Sequence, residues 1–79
     1  MRYSLREEGG SVYLTIFELE PDEIDIFIKR IYSRGYLSES ELEELKKIVT
    51  TLKPPYRVIF VPTGAYVEPL KRGGNGGKI

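Results

Sequence analysis

The residues best equipped for chemistry are arginines and aromatics that alternate near the start of the chain. Arg2, Ser4 and Arg6 are spaced two apart, and so are Tyr13, Thr15 and Phe17. That period places each set on one face of a strand. Basic and aromatic side chains interleaved on a sheet stack nucleobases and neutralise phosphates. The same set also makes cross-strand cation–π pairs that simply cover a sheet. Tyr, Phe and Arg are, in addition, enriched where proteins associate. Arg57 joins the set if strand 56–61 turns it to that side. Three readings are therefore open for this face: nucleic acid, a covered surface, or association with itself or a partner.

Other chemistry is narrowed by what is missing. The 79 residues include no His, Cys or Trp. Without Cys there is no disulfide and no thiolate nucleophile. Without His and Cys, zinc, copper, haem and iron–sulfur centres lose their usual ligands, and Ser–His or Cys–His catalysis has no base. Carboxylates and lysine remain. Pro21-Asp22 with Glu44-Leu45-Lys46 resembles, as letters, the pattern of a metal-nuclease family whose Glu-x-Lys lies on a strand. Here the triplet falls in a helical segment, where positions i and i+2 diverge by about 200°. Glu18, Glu20 and Asp22 alternate, but Pro21 separates strand from helix. The reading is non-enzymatic, with no metal and no cofactor.

The elements that position these residues follow from periodicity. Residues 2–8 and 11–19 are two strands around Gly9-Gly10, a two-residue primed turn. That turn opposes Leu5 to Leu14 and Tyr3 to Ile16 on one face, with Val12. On the other face it opposes Arg6 to Tyr13, Ser4 to Thr15 and Arg2 to Phe17. Glu20-Pro21-Asp22-Glu23 opens a helix over 21–34, with Ile24, Phe27, Ile28 and Ile31 as its core stripe and Gly35 as its left-handed cap. Ile26, Tyr32 and Tyr36 fall off that stripe, as extra core or as an oligomer contact. A second helix, 38–53, begins at Ser38 or Ser40 with a capping box. Its stripe is Leu42, Leu45, Ile48, Val49 and Leu52, with Glu43 and Lys47 paired on the wet side. Pro54-Pro55 stops it. Residues 56–61 are apolar on both faces, a central strand or one covered on both sides. Pro62-Thr63-Gly64 is a turn, and Ala65 to Glu68 a short edge strand ended by Pro69.

This order predicts a small α+β domain over 1–69: an antiparallel sheet, β-β-α-α-β with one more short strand, carrying both helices on one face. Residues 70–79 read as a flexible Gly-rich basic tail, whose single Arg-Gly-Gly is a weak form of an RNA-holding segment. The opening hairpin, Glu20-Pro21-Asp22 and first helix, with Gly76-Gly77 near the end, resemble ubiquitin-like proteins over about 30 residues. The resemblance implies a carrier processed to its Gly-Gly terminus. Helix 38–53 stands where that family has strands.

Charge is balanced overall, with 12 basic and 12 acidic residues. An acidic first part is joined to a basic C-terminal part, so no long-range field draws the chain to nucleic acid. Gln is absent and Asn occurs only as Asn75, a habit of hyperthermophile proteins that fits an archaeal or viral source. No apolar h-region follows Met1 and no run reaches bilayer length, so a cytoplasmic, membrane-free protein is expected. If both faces of strand 56–61 are apolar, something must cover the second one, and the chain has no further helix for it. The leading expectation is a homo-oligomer, a dimer, associating through Tyr13, Phe17, Ile59 and Val61, with Arg2 and Arg6 at the rim; it serves protein interaction. The alternative is a nucleic-acid-binding regulator using Arg2, Arg6, Tyr13, Phe17 and Arg57, with Lys71 and Arg72 as a loose arm. The ubiquitin-like carrier is third.

Overall fold

The computed structural model describes residues 1–70. Lys71, Arg72, the Gly76-Gly77 pair and the rest of the expected tail lie outside these residues. The strands are β1 (Arg2–Glu8), β2 (Ser11–Glu18), β3 (Tyr56–Val61) and β4 (Gly64–Pro69), and the helices are α1 (Ile24–Arg34) and α2 (Glu39–Thr51). The sheet is antiparallel throughout, in the order β1-β2-β3-β4. Both helices fall between β2 and β3 and pack on one face. The α+β architecture and the placement of the helices agree with the sequence pattern.

The first hairpin closes as its glycines require. Gly9 and Gly10 sit at φ 57° and 82°, the left-handed pair of a primed turn. The register runs Glu8–Ser11, Arg6–Tyr13, Leu5–Leu14 and Tyr3–Ile16. It departs from expectation at one place. Arg2 pairs with Glu18 rather than Phe17, because a bulge leaves Phe17 without a partner in the ladder.

The chain enters α1 through a 3-10 turn at Pro21–Glu23, so the α-helix proper starts at Ile24. Phe27, Ile28 and Ile31 are buried, and Gly35 caps the helix at φ 75°. The N-cap of α2 is Ser38, in a reciprocal capping box with Glu41. Leu42, Leu45 and Val49 are buried. Leu52 is a correction: it is the C-cap residue, in extended backbone, and is 42% exposed. Leaving the helix carries it away from the stripe. The expected Glu43–Lys47 pair is also replaced, since Glu43 meets Lys46 at 3.5 Å.

The core lies between the sheet and the helices. Val12, Leu14, Ile16, Tyr56, Val58 and Phe60 point at Phe27, Ile28, Ile31, Leu42, Leu45 and Val49. Tyr3 meets Phe27 edge to face, with ring centroids 4.9 Å apart. The second hairpin turns at Pro62-Thr63, with Val61 opposite Gly64, so Gly64 belongs to β4 and not to the turn. Leu70 donates its N–H to the Pro55 carbonyl at 3.3 Å.

Tyr56 is 2% exposed, and its hydroxyl has no hydrogen-bond partner among the described residues. Burial pushes its pKa up to about 12. An unfolded tyrosine ionises near 10, so the folded state resists losing this proton. The associated stability is intact below pH 10 and is lost as pH rises from 10 towards 12. Tyr56→Phe is expected to flatten that alkaline decline. At pH 7, deleting an orphan hydroxyl is expected to be neutral or to stabilise by about 1 kcal/mol. Urea unfolding at both pH values checks this, and a clear loss of stability at pH 7 would overturn it.

Candidate functional site

The sheet has two unlike faces. Along β3, Tyr56, Val58 and Phe60 are buried under the helices, while Arg57, Ile59 and Val61 are only half-buried. Strand β3 is central, as expected, but among the described residues no element lies over its second face. The molecule measures 18 Å along its shortest axis, the thickness of two layers.

Register assembles the outer face in rows. One row crosses all four strands as Arg6, Tyr13, Ile59 and Tyr66. The next reads Ser4, Thr15, Arg57 and Glu68. Val61 lies above the first row and Phe17 below the second. Every expected site residue among those described therefore shares this face: Tyr13, Phe17, Ile59 and Val61 of the associating set, and Arg2, Arg6 and Arg57 of the basic set. Lys71 and Arg72 lie outside the described residues.

The arginines do not present free charge. The Arg6 guanidinium lies 5.0 Å from the Tyr13 ring centroid, and that of Arg2 lies 4.9 Å from Phe17. Each also has a carboxylate. Arg2 meets Glu18 at 3.5 Å and Arg6 meets Glu8 at 3.8 Å. Arg57 meets Glu68 at 3.2 Å and donates from Nε to Thr15 Oγ1 at 3.3 Å. That last contact holds Arg57 flat on the sheet and explains why Thr15 is buried. Three arginines balanced by three glutamates leave the face close to neutral.

Sequence reasoning missed two parts of this site. Tyr66, 60% exposed, completes the aromatic row. Counting the register through the two-residue Pro62-Thr63 turn places it opposite Ile59, so the signal was present. The three glutamates were not read as counter-charges, because Glu18 and Glu68 lie at strand ends whose facing depends on the bulge and on β4.

Other surfaces offer less. Between Ser4, Arg6, Tyr13, Thr15, Phe17, Arg57 and Leu70 there is a depression of about 280 Å³, and it belongs to the same face. A groove of about 700 Å³ runs from Leu19 and Ile24 to Leu52 and Pro54. Ile26 and Tyr32 are 50% and 57% exposed, so they do not extend the core. Among the described residues no three acidic side chains converge on a metal position. Glu44 and Lys46 flank the buried Leu45 on α2, so the nuclease-like triplet does not meet Asp22 in one site. No helix is long and apolar enough to cross a membrane.

Among the described residues, fold and face together define a two-layer α+β domain with one uncovered, aromatic and charge-balanced sheet surface. Comparison with protein-family models, curated proteins and solved structures finds no match to this chain.

Proposed function

We propose that this chain is a small non-enzymatic binding module that associates with a second copy of itself through the outer sheet face. One observation carries the reading: Tyr13, Phe17, Ile59, Val61 and Tyr66 lie together on a face that no layer formed by the described residues covers. Its charges support the same reading. Each arginine is matched to a glutamate, so apolar and aromatic area can be buried without leaving a charge unpaired. Carboxylates set among the arginines weaken attraction to a phosphate backbone, which requires uncompensated positive charge. The carrier reading has less support, since α2 interrupts the resemblance after the first helix.

Sedimentation equilibrium over a concentration series tests the proposal, together with oligonucleotide anisotropy at two salt concentrations. The expected result is a reversible dimer with no oligonucleotide binding. A monomer at high micromolar concentration would overturn it. A monomer that binds oligonucleotide, more weakly as salt rises, would replace it with the nucleic-acid reading.

A further inference from the structure

The two edges of the outer face differ, and the difference selects how two copies meet. On β1 the face carries the guanidiniums of Arg2 and Arg6, each paired with a glutamate and resting one face on a ring. On β4 it carries the exposed ring of Tyr66, with no guanidinium on it, and Glu68, which is paired with Arg57. Two identical sheets packed face to face with two-fold symmetry have their axis in the interface plane. If the axis runs across the strands, β1 lies over the partner's β1 and the arginines of the two copies face each other. If it runs along the strands, β1 lies over the partner's β4.

Resting on the self-association reading, we infer that the dimer axis runs parallel to the strands, between β2 and β3. This is the aligned sandwich, with strand directions of the two sheets within about 30°. The aromatic row then meets itself reversed, with Tyr13 against the partner's Ile59 and Arg6 against the partner's Tyr66. A guanidinium is planar and has two faces. That of Arg6 rests one face on Tyr13, and its side chain is still 66% exposed. The partner's Tyr66 closes over the second face, so that one cation is stacked between two rings. Glu68 of each copy lies near Ser4 of the other. Arg57 sits close to the axis in either arrangement and enters it already paired with Glu68, so it does not discriminate.

Edge-to-edge growth of the sheet is the other route to a dimer. Charged residues blunt it on β1, with Arg2, Arg6, Glu7 and Glu8 in one seven-residue strand, and Pro69 blunts it on β4. The face itself spans about 19 Å by 20 Å from strand spacing and rise. That is small beside the roughly 800 Å² per partner of a standard interface, so exchange between copies is expected.

The absence of cysteine makes the test direct. Three single variants are made, Arg6→Cys, Tyr66→Cys and Ser4→Cys, and oxidised alone and as the Arg6→Cys plus Tyr66→Cys mixture. Sedimentation of the unmodified chain is run in parallel. The expected result is a cross-linked dimer unique to the mixture, with none from Ser4→Cys alone, since the two β1 strands lie at opposite edges. Self-cross-linking of Ser4→Cys without a mixed product would overturn the inferred axis while leaving the dimer intact. An unmodified chain that stays monomeric would overturn the self-association reading itself, and the axis with it.

Discussion

An Ile59→Glu variant is expected to remain folded and to sediment as a monomer at concentrations where the parent chain is dimeric. Ile59 stands at the centre of the outer face, between Tyr13 on β2 and Tyr66 on β4. It is half-buried and turned away from the helices. In the single chain the new carboxylate stays hydrated, so the fold loses little. In the proposed dimer two carboxylates enter the contact without partners, at about 2 kcal/mol or more each. Together they weaken association by about 4 kcal/mol, roughly a thousandfold in Kd. Sedimentation velocity measures this directly. Ile26→Glu serves as the control, since Ile26 is exposed on the helix side. A dimer lost in Ile26→Glu and retained in Ile59→Glu would move the contact from the sheet to the helices.

The second large effect is on stability. Phe27 has no exposed area. It bridges the two layers, with Tyr3 of β1 against its ring. Phe27→Ala is expected to cost about 3–5 kcal/mol through lost transfer energy and the cavity left behind. A domain of this length holds on the order of 4–12 kcal/mol in total, so one truncation removes a large share. Urea unfolding checks it, with a fall in midpoint at unchanged slope. A loss below about 1 kcal/mol would mean that the core collapses around the gap and is less tightly built than the burial implies. Coupling between the two predictions is also measurable. A dimer that forms only from folded chains makes the parent midpoint rise with concentration, and Ile59→Glu is expected to remove that dependence.

Much of this architecture was legible because its local signals agree. Gly9-Gly10 fixes the first register, Ser38 with Glu41 fixes the start of α2, and Gly35 fixes the end of α1. The departures occur where tertiary structure overrides a local rule. Leu52 continues a helical stripe in sequence, yet the helix ends before it. Phe17 continues a two-residue alternation, yet a bulge pairs Arg2 with Glu18 and leaves Phe17 without a ladder partner. For the site, alternation alone located Arg2, Arg6, Tyr13 and Phe17, the apolar second face expected of 56–61 added Ile59 and Val61, and Arg57 depended on which way that strand turned. Tyr66 required the pairing of β3 with β4. The balance of charge required knowing which glutamates stand beside which arginines, and a sum over the chain does not contain that.

The order of the strands has a consequence for how the sheet is assembled. Each hairpin closes over two residues, whereas the seam between β2 and β3 joins Ile16 to Tyr56 and Val12 to Phe60. On a logarithmic closure law, that long connection costs roughly 2–3 kcal/mol more in chain entropy than a hairpin turn. The two helices occupy this interval and draw its ends together when they fold against each other. The outer face is therefore expected to be completed after both hairpins have closed. Its aromatic row is continuous only once the seam has closed, so a partially folded chain holds two half-rows and not the surface that a second copy would meet.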